Sequence, residues 1–216
     1  MKLVDSAQVA HVAEEARPLP DRASRQIDGW LKGEGDKTLG ALVELFGQKS
    51  FAILFILLLG VSALPIPTGG VTNVFEAIAA LLALELIAGV EHIWLPQRWR
   101  ALQLVGGRRE RFIEGLVRMI SRLERFSRPR GQFLFGHRLT NIVFGVLVVF
   151  GCAGAFFAPP FTGLDTLPAF GVVLLSLGML LDDFVAVLVG FAVGAAGIAL
   201  ELALGKLVLE LLQSLI

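Results

Sequence analysis

Apolar runs alternate with polar segments along the chain and predict five membrane helices. The runs cover residues 51–67, 74–95, 140–158, 167–181 and 184–204. At 1.5 Å per residue, the first run forms a helix of about 25 Å, shorter than the roughly 30 Å hydrocarbon core of a bilayer. The fourth run is shorter still. The pattern leaves open whether these short helices span the membrane or re-enter on the same side.

Proline and glycine interrupt the apolar pattern twice, at Leu64–Gly70 and at Ala158–Asp165. Proline cannot continue a helix because it lacks the N–H donor and its ring clashes with the preceding turn. Leu82-Ala83-Leu84 aligns with Leu175-Ser176-Leu177, an offset of 93 residues, and the two breaks align if Phe161 is an insertion. We therefore predict two repeats of helix, Pro/Gly break and helix. The alternative is a chance match between leucine-rich segments.

Polar and amphipathic segments separate these runs. Residues 1–35 have mixed charge and contain no apolar run, which predicts a mobile cytoplasmic arm. Helical spacing over Asp36–Lys49 predicts an interfacial helix, and residues 107–126 read as a basic amphipathic helix. The expected organisation is the arm (1–35), the interfacial helix and first repeat (36–97), an arginine-rich interfacial helix (98–139), the second repeat (140–183), and a final membrane helix with an amphipathic tail (184–216).

Composition agrees with this all-α polytopic fold. Hydrophobic residues make up 55% of the 216 residues, charged residues 18%, and the mean hydropathy is +0.74. A soluble domain has fewer apolar residues, about 45–50% even when glycine is counted with them. The lone cysteine, Cys152, excludes an intrachain disulfide framework and a cysteine-cluster metal site.

Positive charge is concentrated between the two predicted repeats. Residues 98–138 contain eleven arginines against three glutamates, whereas residues 51–97 contain no lysine or arginine. Cytoplasmic loops of membrane proteins are enriched in such residues, so we place the arginine block in the cytoplasm. Membrane helices flank the block, which favours anionic lipid headgroups over nucleic acid as its partner. The side of the C-terminus stays open.

Two sets of residues are candidates for binding a lipid phosphate. Arginine suits this role because its guanidinium donates two parallel hydrogen bonds, and helix starts offer free N–H groups. The candidates are Arg98, Arg128, Arg130 and Arg138 in the arginine block, and Thr68, Gly69, Gly70, Thr162 and Gly163 at the breaks. The alternatives are a helix resting on the membrane surface for the first set and ordinary capped loops for the second.

Carboxylates within apolar segments are the other candidates, because a charge in hydrocarbon is costly. Glu85, in the middle of its run, is the best candidate for binding a proton or cation, followed by Asp182 and Asp183. Their alternative roles are a structural hydrogen bond to the facing repeat for Glu85 and a helix end at the membrane surface for the aspartates. Glu76 stands three residues after Asn73, the spacing of a capping box, which predicts a capping role.

The sequence contains no zinc-ligand spacing among its three histidines and no nucleophile, phosphate-loop or dinucleotide motif. We therefore expect a non-enzyme without a metal or cofactor. Ala186, Gly190 and Gly194 recur every fourth residue on the last apolar run, the spacing that lets helix backbones approach closely. This stripe predicts a homodimer interface. The alternative is packing against the chain's own helices.

Three ordered motifs resemble the exopolysaccharide-synthesis ExoD family over about residues 38–200. They are Leu81–Gly89 followed by His92–Pro96, then Arg128-Pro129-Arg130, and then Thr166–Ala169 with Leu177-Gly178 and Asp182. The chain departs from the family pattern at Glu85, where glutamine is common, and at Asp182-Asp183, where Asp-Gly is common. The resemblance implies a bacterial inner-membrane protein of exopolysaccharide synthesis and establishes no catalytic activity.

The combined expectation is an inner-membrane, multi-pass protein that binds or translocates an anionic lipid-linked intermediate or a lipid carrier. Its expected partners are membrane lipids, polyprenyl-phosphate-linked intermediates and a second copy of the chain. The alternative is an ion or proton transporter that supports pH or stress tolerance.

Overall fold

The computed structural model describes residues 23–64, 71–90, 93–127, 137–158 and 163–214. Within these ranges the regular secondary structure is helical, with one isolated antiparallel bridge between Thr38 and Gln103. The helices are α1 (Ala23–Lys32), α2 (Leu39–Phe46), α3 (Ser50–Ser62), α4 (Val71–Ala88), α5 (Gln97–Arg100), α6 (Arg108–Phe126), α7 (Arg138–Phe157), α8 (Thr166–Leu180) and α9 (Phe184–Ser214), with a 3₁₀ turn at Gly47–Lys49 before α3.

Three helices are long and apolar enough to cross a membrane: α4, α7 and the first 24 residues of α9. Only 33% of the α4 and α7 spans and 17% of the α9 span is buried inside the protein. Large apolar side chains such as Leu81, Phe150 and Leu202 therefore lie on the outer surface. Exposed apolar surface on this scale needs a lipid environment, which identifies an all-helical membrane protein.

Two helical hairpins, α3–α4 and α7–α8, pack against each other in the same orientation. Helix α3 packs against α4 and α8, and α7 packs against α8 and α4. Lys49, just before α3, donates hydrogen bonds to the Leu180 carbonyl at the end of α8 (3.0 Å) and to the Asp182 carboxylate (2.8 Å). Asn73, near the start of α4, donates to the Phe156 carbonyl at the end of α7 (3.1 Å). Both hairpins therefore turn at the same end of the bundle.

We call that end, formed by the last residues of α3 and α7 and the first residues of α4 and α8, the break end. The opposite end carries the starts of α3, α7 and α9. Helix α9 begins there, follows α8 along its whole length and continues past the start of α8. At its far part, Gly197 lies against Leu167 and Pro168.

The two short helices, α3 and α8, are the most enclosed. Helix α3 carries apolar side chains on all its faces, and its Ile53, Phe55 and Leu59 have no exposed surface. A helix that is apolar all round is typical of a position inside a protein or a membrane. Neighbouring helices cover α3 and α8, and protein can satisfy backbone hydrogen-bonding groups at membrane depth. The ends of α3 and α8 therefore need not reach the bilayer surfaces.

The glycine stripe of the last helix packs inside the chain. The Cα and N atoms of Gly194 occupy the space that a side chain on Gly171 of α8 would need, and Gly190 lies against the Leu175 amide in the same way. Gly190, Gly194 and Gly197 are buried and Ala186 is half-buried in this α8–α9 contact. The structure therefore uses Ala186, Gly190 and Gly194 in the intramolecular packing that the sequence left as the alternative to a dimer interface.

A second layer covers the end opposite the breaks, and it contains α1, α2, α5 and α6. Part of the predicted mobile arm belongs to it: α1 is a packed helix whose Ile27 is 1% exposed, and Ser24 hydrogen-bonds Glu124 of α6. Helix α2 starts at its N-cap Thr38, whose side chain accepts from the Ala41 N–H (3.2 Å). We call this end the arginine end, because α5, α6 and the start of α7 place their arginines there.

We predict that Gly190→Ala destabilises the protein by about 1–3 kcal/mol, because the new Cβ overlaps the backbone of α8, which cannot rotate away. Thermal unfolding in a mild detergent measures the change. Gly205→Ala is the matched control on the same helix, since nothing lies within 4 Å of its Cβ position. Equal effects of the two substitutions would contradict the proposed close contact.

Candidate functional site

The arginines of α6 are exposed because the apolar face of this helix is used for packing inside the protein. Ile113, Leu116 and Ile120 are at most 7% exposed and belong to the same core as the membrane helices. The exposed arginines are Arg111, Arg118, Arg122 and Arg125. The apolar face therefore does not rest on a membrane surface, as one sequence interpretation had it, while the cationic face stays available.

A shallow groove of about 380 Å³ lies on this cationic face, lined by Gly115, Arg118, Met119, Arg122 and Leu123. It combines two guanidinium groups with apolar side chains. Among the described residues, the arginine that forms an ion pair is Arg100 of α5, which lies 2.6 Å from the Glu44 carboxylate of α2. The exposed side chains of α6 (Arg111, Arg118, Arg122 and Arg125) form no ion pair with any described residue, and Arg118 Nε donates to the Glu114 carbonyl of the same helix (3.3 Å). This face can therefore meet an anionic ligand that also has an apolar part.

Arg98 and Arg138 lie at the same end of the molecule as α6. Both are exposed, and the Arg138 guanidinium approaches the end of α4, 3.6 Å from the position of a Cβ on Gly89. Gly89 has a φ of 78°, a left-handed conformation that favours glycine and ends the helix. Glycine there leaves room for the guanidinium against the backbone. Arg128 and Arg130 lie outside the described residues.

An apolar groove of about 460 Å³ runs between α7, α8 and α9 on the outer surface of the bundle. Gly151 and Gly194 are among its lining residues, and both lie where their helices pack closely against α8. Phe150, Phe191 and Leu202 are exposed along it. Its lining is almost wholly apolar, so a hydrocarbon chain is the ligand it suits chemically.

The structure separates the two sets of candidate phosphate ligands. Gly163 precedes α8 at the break end, whereas Arg98 and Arg138 are at the opposite end. Thr68, Gly69, Gly70 and Thr162 lie outside the described residues. The break end carries the carboxylates of Glu76, Asp165 and Glu201, which interact electrostatically with one another. The break end thus carries carboxylates, whereas the arginine end carries the cationic side chains that suit a phosphate.

The predicted proton or cation ligands have structural partners. Asp182 forms an ion pair with Lys49 (2.8 Å) in the turn between α8 and α9, where its φ is 53°. Asp183 is 6% exposed and its carboxylate accepts from the Val185 N–H (2.9 Å) at the start of α9. The Glu85 carboxylate accepts from the Trp94 N–H (3.3 Å), which ties the end of α4 to the following segment. All three side chains thus have structural partners, but the hydrogen bond of Glu85 goes to the following segment and not to the facing repeat.

Glu76 is the buried carboxylate of the membrane region, and the sequence pattern gave it a different role. It is 1% exposed. Helix α4 starts at Val71, and the Asn73 side chain bonds Phe156 rather than capping the helix. The expected capping box is therefore wrong. The available signal was a carboxylate inside an apolar run, which Glu76 shares with Glu85, and the position of Glu85 in the middle of its run ranked Glu85 first.

The fold and these surfaces define an all-helical membrane protein with a cationic end and an acidic break end. The chain belongs to the family described as "Exopolysaccharide synthesis, ExoD", which matches residues 24–203. Two curated relatives are an uncharacterized protein of Synechocystis and Protein ExoD of Rhizobium meliloti. Each is 29% identical; the alignments cover 67% and 71% of this chain, and 68% and 64% of the respective relatives. No solved structure shows a significant match.

We predict that Lys49→Met destabilises the protein by about 1–3 kcal/mol, because it leaves the Asp182 carboxylate and the Leu180 carbonyl without their donor. Thermal unfolding in detergent measures the loss. Lys32→Met is the matched control: Lys32 pairs with Asp28 on the surface (side chains 76% and 47% exposed), a type of pair that contributes about 0–1 kcal/mol. A stable Lys49→Met variant would remove the structural role assigned to Asp182.

Proposed function

We propose that this protein binds or translocates an anionic lipid-linked intermediate, or a lipid carrier, during exopolysaccharide synthesis in the bacterial inner membrane. Family membership supports the link to exopolysaccharide. The proposed action is non-covalent: the protein holds a phosphate headgroup and a hydrocarbon tail. The exposed cationic face of α6, where Arg118 and Arg122 line a groove together with Met119 and Leu123, is the observation that carries this proposal.

The arginine end is the proposed cytoplasmic end. Lysine and arginine concentrate in cytoplasmic loops, and this end carries the described arginines of α5, α6 and α7. Lys206 lies on α9 beyond the break end, 79% exposed and 3.8 Å from Glu210. The chain runs from one end of the bundle to the other five times, in α3, α4, α7, α8 and α9, so α1 and the end of α9 are then on opposite sides of the membrane. A headgroup made in the cytoplasm would meet Arg98, Arg138 and the α6 arginines first.

The apolar groove between α7, α8 and α9 is the proposed position for the hydrocarbon tail. Its lining suits a polyprenyl chain, and it opens to the lipid phase because Phe150 and Leu202 are 65% and 70% exposed. The groove would then bind the tail by burying apolar surface, and the arginines would bind the headgroup through charge-assisted hydrogen bonds.

The two hairpins also support the proposed internal repeat. They run in the same direction, and each contributes one short enclosed helix and one long outer helix. A homodimer stays part of the proposal, although its contact surface is then elsewhere than the glycine stripe. Ion transport through Glu85 and Asp182 has less support, because Trp94 and Lys49 are their respective partners.

We predict that Arg118→Gln combined with Arg122→Gln weakens binding of undecaprenyl phosphate by roughly 10- to 100-fold. We expect the two substitutions together to cost about 1.5–3 kcal/mol, the value of one charge-assisted hydrogen bond, because both arginines are exposed and solvent screens them. Binding is measured by titrating the lipid into protein reconstituted in neutral nanodiscs. Neutral polyprenol, which shares the tail, should bind wild type and variant equally.

The control variant is Lys206→Gln, which removes one positive charge from the opposite end of the molecule. It should bind undecaprenyl phosphate as wild type does. Equal affinity of wild type and the double arginine variant for undecaprenyl phosphate, with both proteins folded, would contradict the assignment of the phosphate to α6. Failure of wild type to prefer the phosphate over the alcohol would contradict the proposed function itself.

A further inference from the structure

Glu76 lies in the interior with neither carboxylate oxygen bonded. The residue is 1% exposed, and within the described part of the chain both oxygens are buried without a hydrogen-bond partner. Ser62, at the end of α3, is also 1% exposed with its hydroxyl unbonded among those residues. The hydroxyl lies beside the Glu76 carboxylate, close enough to act as a hydrogen-bond donor to its charged form, although the two groups are not hydrogen-bonded in this structure. Two buried polar groups that face each other without bonding indicate a site that something else completes.

The described groups around Glu76 supply no positive charge. Ser62 faces it from α3, Cys152 from α7 and Asp165 from the start of α8, and Glu201 of α9 interacts with it electrostatically. The ion pairs within the described residues involve none of these side chains. An unpaired charge in an apolar interior is costly. The Glu76 carboxyl group therefore needs a proton or a cation.

A proton fits the site better than a metal ion. Among the described residues no group of three His, Cys, Asp or Glu side chains is close enough to hold a metal. Hard cations such as calcium take six to eight oxygen ligands, whereas a proton needs a single carboxylate oxygen. The carboxylates of Glu76, Asp165 and Glu201 thus interact electrostatically, but they are not arranged to coordinate a metal ion.

We propose that Glu76 is a proton-binding site inside the membrane region, and that its proton exchanges with solvent at the break end through Glu201 and Asp165. These two carboxylates are half-buried and interact electrostatically with the enclosed Glu76, and one Glu201 oxygen is itself buried and unbonded among the described residues. The Ser62 hydroxyl donates to the Glu76 carboxylate when the proton has left. This site goes beyond the lipid-binding function and does not depend on it.

Dicyclohexylcarbodiimide tests the proposal on the full-length protein in detergent or nanodiscs. This apolar reagent reacts with a protonated carboxyl group: the O–H adds across one C=N bond, and the adduct rearranges to a stable N-acylurea that retains all atoms of both reactants. Tandem mass spectrometry locates the added mass. We expect labelling at Glu76 that decreases as the pH rises, and loss of that labelled peptide in Glu76→Gln.

Glu85→Gln is the matched control, the same substitution nine residues later on the same helix, where the carboxylate is half-exposed and bonded to the Trp94 N–H. Glu76 should label equally in this variant. Ser62→Ala retains Glu76 and should extend labelling to higher pH, because the deprotonated carboxylate loses its donor. This variant keeps the test decisive if Glu76→Gln does not fold.

Two outcomes would overturn the proposal. The first is the absence of labelling at Glu76 together with an infrared spectrum that shows no protonated Glu76. Such a spectrum would have the same carboxyl C=O band in wild type and Glu76→Gln at acidic pH, or the same band in wild type and Ser62→Ala throughout a pH titration. The second is protection of Glu76 from the carbodiimide by sodium at constant pH and ionic strength, with potassium as the comparison. That result would identify a metal ion as the ligand. Neither measurement involves a lipid, so failure of the lipid-binding function leaves this test intact.

Discussion

Hydrocarbon cannot hydrogen-bond to a backbone, and this constraint determines where the two short helices can lie. Helix α3 has 13 residues and α8 has 15, about 20 Å and 22 Å, well below the roughly 30 Å of the bilayer core. Their ends are therefore compatible with a membrane only where protein surrounds them. The longer α4, α7 and α9 provide that cover. As a consequence, the polar groups at the hairpin turns gather in a protein-lined region rather than in lipid.

Close approach of α8 and α9 depends on glycine. With Gly171 facing Gly194, the two backbones meet without intervening side chains, and α9 covers the whole length of α8. Association of helices in lipid has little hydrophobic driving force, so backbone contact and van der Waals packing supply it. Larger residues at these positions would separate the helices and expose the short one. The glycine stripe is thus a condition for the enclosure of α8.

Helices with a sustained apolar or amphipathic pattern were predictable from sequence. The pattern over 107–126 corresponds to α6 (Arg108–Phe126), and that over 140–158 to α7 (Arg138–Phe157). The pattern over 74–95 overestimates α4, which ends at Ala88 because Gly89 is left-handed. The contacts of individual side chains were not predictable from sequence. The sequence pattern around a carboxylate in an apolar run is the same whether the carboxylate accepts from a backbone N–H, as Glu85 does, or faces an unbonded serine, as Glu76 does. In the same way, a glycine stripe has the same spacing whether it packs within one chain or between two chains.

Glu76 lies five residues after the first residue of α4, about 7 Å along the helix and hence near one surface of the bilayer core. A charge that crosses the whole membrane gains about 2.3 kcal/mol per 100 mV. A proton that reaches Glu76 from the break end crosses only about a quarter of that distance, worth roughly 0.6 kcal/mol. One pH unit changes the free energy of protonation by about 1.4 kcal/mol. Occupancy of such a shallow site would therefore follow the acidity of the adjoining compartment far more closely than the membrane voltage.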